Sequence, residues 1–221
     1  MRGGTNPDIL GAMKVRSALA VLGAAVLAAC TTTPTVFEAV SLRPEASGRR
    51  YSTIVVVPLR ANPENRDIFA ASLVGRLSAW TTRAERGADV LSRTHFEVKD
   101  GRLVLKTDAE AIRRHLQTSG FEAVLVVSRL RPDDHDEGNH FWSKDPIGDY
   151  FSLPRSTPSA TPAKTGDPVY FSTDLIDTAT GKVVWSGHTK SIRTEYTVPL
   201  AESYAQAVVA ELLRNGLIGK R

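Results

Sequence analysis

From Tyr51 onward the apolar positions of this chain switch repeatedly between the strand period and the helix period. Tyr51-Ser-Thr-Ile-Val-Val-Val-Pro58 holds consecutive β-branched residues and predicts a strand buried on both faces, closed by Pro58. Pro63-Glu64 then opens a helix expected to run to about Thr82, with Phe69, Leu73, Leu77 and Trp80 on one face. Gly87 to Leu91 reads as a short link or strand. Thr94–Val98 and Arg102–Leu105 flank Asp100-Gly101, a hairpin signal. Thr107-Asp-Ala-Glu110 is a capping box for a helix carrying Ile112 and Leu116 and ending before Gly120. Phe121–Ser128 is a second buried strand. Pro168–Asp177 is a third, turned by Thr178–Gly181 and returned by Lys182–Thr189 as its hairpin partner. A closing helix over Leu200–Arg214 stacks Tyr204, Val208 and Leu212, and Asn215-Gly216 caps it.

Two stretches break the periodicity. Thr31 to about Arg50 carries Pro34, Pro44, Ser47 and Gly48 and reads as a flexible tether. Residues 131–167 hold five prolines and three glycines, too many for either kind of backbone ladder. Loops of this length are uncommon in compact domains, so this insert is expected to be the least ordered part of the domain and its contact surface. Phe141, Trp142, Tyr150 and Phe151 lie in it. Four aromatics in a Pro-rich loop either tuck onto the domain or wait for a partner, and they are the candidate partner-binding residues.

Ahead of all this, Lys14 and Arg16 precede the apolar run Ser17–Ala29, which meets the only cysteine, Cys30. A basic stretch, an apolar stretch and small residues make a secretory signal peptide. The run has 13 residues, whereas a membrane-spanning helix needs about 20. One cysteine cannot form a disulfide framework. Leu27-Ala28-Ala29-Cys30 resembles the lipobox of bacterial lipoproteins. That resemblance implies that residues 1–29 are removed, that the Cys30 thiol carries diacylglycerol, and that its new amine is acylated with palmitate or a similar chain. Thr31, in place of the Asp that retains such proteins at the inner membrane, implies the outer membrane. Either Met1 or Met13 could be the true start.

Composition narrows the class only modestly. Removing residues 1–29 leaves 192 residues, enough for one domain. The formal charge of +4 falls to about +2, because Arg2, Lys14, Arg16 and Asp8 leave together. So weak a charge argues against nucleic acid, and 42% hydrophobic residues fit a globular domain.

The order strand, helix, hairpin, helix, strand, hairpin, helix predicts an α/β (α+β) single domain, a mixed β-sheet with a β-hairpin and about three packed helices, over residues 51–216. Thr107–Val127 resembles the helix, Gly-Ala-Asp, strand step of small envelope lipoproteins, with Gly120-Phe121-Glu122-Ala123 in place of the usual triplet. Leu175–Ser186 resembles their Asp-x-x-Thr-Gly-x-x-x-Trp hairpin. The class includes the curli-secretion lipoprotein, the lipoprotein activators of penicillin-binding proteins and the N-terminal domain of the Tol β-propeller protein. Its motifs are structural and carry no catalytic residue.

The chemistry-bearing residues are sparse. Asp133-Asp-His-Asp-Glu137 and His140 could offer metal ligands, but their spacing forces no convergence, so a solvated loop is expected and no metal. His95, His115 and His188 are isolated, and no Gly-x-Ser-x-Gly, Walker or dinucleotide motif is present. Trp185 and Trp80 are expected in the core. Arg113, Arg114, Arg129 and Arg131 read as helix-face and strand-end charges. The expectation is therefore a non-catalytic envelope lipoprotein without cofactor, anchored through Cys30 on the periplasmic face of the outer membrane, binding an envelope protein or a cell-wall component. The alternative is a periplasmic hydrolase acting on wall material. A pore subunit would need long amphipathic strands, and none stands out.

Overall fold

The computed structural model describes residues 35–59, 63–91, 96–99, 102–105, 109–130 and 164–220. Their order is β1 (Val36–Leu42), a 3-10 turn (Pro44–Ala46), β2 (Thr53–Leu59), α1 (Pro63–Leu77), β3 (Arg83–Arg86), α2 (Gly87–Val90), β4 (Phe96–Lys99), β5 (Arg102–Leu105), α3 (Ala109–Thr118), β6 (Ala123–Leu130), β7 (Pro168–Asp177), β8 (Val183–Ile192) and α4 (Thr197–Arg214). Six strands form one mixed sheet in the order β1-β8-β7-β6-β2-β3, and β4-β5 is a separate hairpin. The pairs β2–β3 and β2–β6 are parallel; the others in the large sheet are antiparallel. The fold is α+β, as the periodicity predicts.

The β-branched runs explain the core. On a strand successive side chains point to opposite faces. Ile54 and Val56 of β2, with Ala123, Leu125 and Val127 of β6, meet Phe69, Leu73 and Leu77 of α1 and Tyr204, Val208 and Leu212 of α4. Val55, Val57, Val124 and Val126 point the other way, onto Ile112 and Leu116 of α3 and onto Leu91. The central strands are thus covered on both sides, which a hydrophobic run without alternation requires. Phe69, Phe171 and Tyr204 pack ring to ring, with centroids 4.8–5.5 Å apart. Burial pushes the Tyr204 phenol well above its ordinary value, and its hydroxyl pairs with Thr173.

Several expectations need correction. The tether expected over residues 30–50 is structured from Thr35 onward: Val36–Leu42 is the edge strand paired with β8, and Ala46 is buried. The register against β8 shifts between Phe37 and Ala39, so Val-Phe-Glu-Ala-Val-Ser-Leu keeps no unbroken period of two, and as an edge strand none of its side chains is fully buried. The first helix ends at Leu77 and not Thr82, and a short parallel strand, β3, follows. Trp80 is 38% exposed and not core; it lies in the turn after α1, where its amide donates to the Leu77 carbonyl at 2.8 Å. Residues 87–91 form one helical turn. Leu217 and Ile218, beyond the expected boundary at 216, are buried, and the Tyr51 amide donates to the Leu217 carbonyl at 2.7 Å. Of the 131–167 insert only 164–167 are described. They form a turn in which the Lys164 amide donates to Asp167 Oδ2 at 2.6 Å.

Gly187 explains how β1 closes on β8. A Cβ there would lie 2.5 Å from a ring carbon of Phe37 and 2.8 Å from the Trp185 ring. Gly187→Ala is therefore expected to destabilise the domain by about 1–3 kcal/mol, the usual cost of overpacking. Urea unfolding measures it, and an unchanged midpoint would show that Phe37 swings clear at no cost.

Candidate functional site

Three polar constellations stand out among the described residues. The first is the turn after β7, where the Asp-x-x-Thr-Gly resemblance falls. The Asp177 carboxylate accepts from Tyr51 Oη at 3.0 Å, from the Thr180 amide at 2.8 Å, from Thr180 Oγ1 at 3.0 Å, and from the Arg49 guanidinium. Gly181 takes a positive φ of 70° to complete the turn. Gln117 and Arg113 of α3 donate to the Thr178 carbonyl at 2.6 and 3.0 Å. Thr178 Oγ1 donates to the Phe121 carbonyl at 2.7 Å. Burial pushes the Asp177 carboxyl up, but the hydrogen bonds from Thr180 and Tyr51 and the Arg49 charge outweigh it and hold the carboxyl below its usual range. Burial, with Asp177 adding to it, pushes the Tyr51 phenol up to about 12. This motif ties the β7–β8 turn to α3 and to the start of β2. Arg113 is thus part of the turn's hydrogen bonding as well as a helix-face charge.

The second constellation lies on the sheet. Asp174 and Ser186 face each other across β7 and β8, and the Ser186 hydroxyl donates to the Asp174 carboxyl. Two residues along, Ser172 faces His188 on one side and Ser128 on the other. By strand alternation all five share a face. The Ser128 hydroxyl is buried without a hydrogen-bond partner. Burial pushes the Asp174 carboxyl up to about 7, and the Ser186 hydrogen bond opposes only part of this. A carboxyl so placed could exchange a proton near neutrality. Yet Ser186 has 0% of its surface exposed and Asp174 only 2%.

The third surrounds the first described residue. The Thr35 amide donates to Ser203 Oγ of α4 at 2.9 Å, and Thr35 Oγ1 lies 2.7 Å from Ser191 Oγ and 3.1 Å from Ser203 Oγ. Thr197 Oγ1 donates to Asn65 Oδ1 at 3.2 Å, joining the starts of α4 and α1. The chain is thus fixed to the domain from Thr35 on.

Cys30, Phe141, Trp142, Tyr150 and Phe151 lie outside the described residues, as do His95, His135 and His140. Trp185 is fully buried in the core, as expected. His115 Nε2 lies 3.2 Å from the Val90 carbonyl. Among the described residues no group of three or more His, Cys, Asp or Glu side chains converges as a metal site. Nor is any helix among them long and apolar enough to cross a membrane. The Asp174–Ser186 pair was missed because each residue reads as an ordinary strand position. The signal was an aspartate in the inward phase of Pro168–Asp177, between Ser172 and Ile176.

No family model matches the chain, and no curated protein matches it. Among solved structures it is similar to a dodecameric PelC variant from Paraburkholderia phytofirmans, at 13% identity and a TM-score of 0.40, over 85% of this chain and 99% of that one. It is similar to the lipoprotein GNA1162 from Neisseria meningitidis at 20% identity and a TM-score of 0.38, over 73% and 96% of the two chains. Protein XCC0632 from Xanthomonas campestris, of the family DUF330, is similar at 15% identity and a TM-score of 0.26, over 79% and 91%. Likenesses this low carry no argument about activity.

Proposed function

We propose that this chain is a non-catalytic lipoprotein of the bacterial envelope, held through a lipidated Cys30 at the periplasmic face of the outer membrane, and that it binds another envelope protein or a cell-wall component. The observation that carries the reading is the join between leader and fold. Leu27-Ala28-Ala29-Cys30 ends the apolar run, and the buried, hydrogen-bonded Thr35 follows five residues later. Each buried methylene of an acyl chain contributes about 0.8 kcal/mol, and two or more chains give stable attachment. The fate of the well-placed carboxylates supports the non-catalytic part. Asp177 serves the turn after β7, and Glu211 accepts from Asn215 Nδ2 at 2.8 Å at the end of α4. Phe141, Trp142, Tyr150 and Phe151 remain the proposed contact residues for the partner.

Intact mass of the mature protein tests the anchor. It should begin at Cys30 with added acyl mass, and Cys30→Ala should leave an uncleaved or soluble form. A mature chain beginning elsewhere without acyl mass refutes the anchor. Crosslinking in cells tests the binding role. A defined partner should crosslink to the wild type and be lost when the four aromatics are replaced by alanine.

The Asp174–Ser186 pair, with His188 on the same face, is the observation that favours the hydrolase. Burial weighs against it, because a nucleophile with none of its surface exposed cannot meet a polymeric substrate. Release of soluble fragments from purified cell wall, abolished by Asp174→Asn in a variant that stays folded, would reverse the preference.

A further inference from the structure

We infer that the end of the domain where β1 begins, β8 ends and α4 begins lies against the lipid leaflet that holds the anchor, with Tyr196, Val198 and Val36 as its contact side chains. This rests on the proposed lipidation of Cys30. Five residue steps separate Cys30 from Thr35. A fully extended chain covers about 3.5 Å per residue, so the lipidated residue lies within about 17 Å of Thr35 whatever path the link takes. Thr35 is itself bound to Ser191 near the end of β8 and to Ser203 in α4. The opposite end of the sheet is much farther away. β7 runs 10 residues from Pro168, paired with Ile192, to Asp177, which at about 3.3 Å per residue spans about 30 Å.

What the near end exposes fits a lipid surface. Among the described large hydrophobic residues the three most exposed are Tyr196 at 68%, Val198 at 53% and Val36 at 49%; Val40, Leu42 and Trp80 follow at 38–40%. The first three sit at this end. Val36 pairs with Lys190 two residues before β8 finishes, and Tyr196 and Val198 flank the first residue of α4. A tyrosine offers an apolar ring and a polar tip, the combination enriched at the membrane–water boundary. The charges around it nearly cancel: Lys164, Lys190, Arg193 and Arg129 beside it stand against Glu38, Asp167 and Glu195, a net of about +1. Attraction here is therefore apolar, from side chains reaching about 5–10 Å into the headgroup region, and it should change little with salt.

The test uses the full, acylated protein. Acylation occupies the Cys30 thiol, so a cysteine introduced at Tyr196→Cys, or at Ala179→Cys on the opposite end, is the one site for a fluorophore. Each labelled protein is placed in vesicles of phosphatidylethanolamine and phosphatidylglycerol containing a headgroup-spin-labelled lipid, after intact mass has established acylation. The label at 196 should lose most of its emission and the label at 179 little, at low and high salt alike. Equal quenching at both positions, or none at 196, overturns the inference and leaves the anchor standing. Energy transfer between labels at 196 in dilute vesicles would mean that a second copy covers this end, and overturns it too. Absence of acyl mass refutes the anchor and, with it, this inference.

Discussion

Trp185→Ala is expected to cost the domain about 3–5 kcal/mol, the range for removing a large aromatic from a core. Trp185 has 0% of its surface exposed and stands on β8 between β7 and the edge strand β1. Phe37 meets it edge to face, with centroids 6.1 Å apart and planes at 70°. A domain of this size is stable by about 5–15 kcal/mol, so the loss removes a large share and should free β1. Trp185→Phe is expected to cost less than half as much. The Trp185 indole N–H is buried with no hydrogen-bond partner, and deleting such a donor recovers about 1–3 kcal/mol of desolvation against the packing lost. Urea midpoints at constant slope measure both variants. A further check lies in coupling. Because the Trp185 ring is one of the groups a Cβ at 187 would strike, Gly187→Ala should cost less in the Trp185→Ala background than in the wild type. Additive costs would show that the clash is with Phe37 alone.

How far the fold could be read from the chain depended on what each element needed. β2 and β6 were legible because strands covered on both faces demand unbroken β-branched and apolar runs, β7 and β8 because β-prone residues flank the Thr178–Gly181 turn, and α4 because Tyr204, Val208 and Leu212 repeat at one helical face. β1 and β3 were not. Both lie at the sheet edges, where one row of backbone bonds suffices and the side chains are under little constraint; Arg-Ala-Glu-Arg carries no strand signal at all. Trp80 continued the spacing of Phe69, Leu73 and Leu77, but the helix stops at Leu77 and the spacing loses its meaning there. The Asp177 motif was legible as a turn. Its links to Tyr51 and Arg49, about 125 residues away in sequence, were set by strand pairing. The same holds for Asp174 and Ser186: spacing 12 apart in the chain means nothing until the β7–β8 register places them opposite one another.

The second large effect is expected as pH rises. Burial holds the folded-state Asp174 carboxyl at about 7, while in the unfolded chain an aspartate titrates near 3.9. The folded state therefore binds the proton more tightly. The stability this provides is fully present below about pH 4, drains as pH climbs, and is gone once pH passes about 7. At 1.36 kcal/mol per unit the drain is on the order of 4 kcal/mol, an upper figure for a site that can relax. Asp177 acts in the opposite sense. Its carboxyl is held below the usual range by Thr180, Tyr51 and Arg49 despite burial, so it contributes stability above the unfolded value that is lost as pH falls through its lower folded value. The two together place the stability maximum in mildly acid solution, between the windows. Asp174→Asn keeps an acceptor for the Ser186 hydroxyl and removes the charge, so between pH 5 and pH 8 its urea midpoint should stay nearly level while the wild type declines. At pH 8 the variant should be the more stable protein. Asp177→Asn should leave that decline in place and weaken the domain at neutral pH, because Asp177 is only 3% exposed and the variant sets an amide against the Tyr51 hydroxyl and the Arg49 charge. A wild-type midpoint that does not move between pH 5 and pH 8 would mean that Asp174 ionises as freely in the folded sheet as in water, and the buried-carboxyl account would fall.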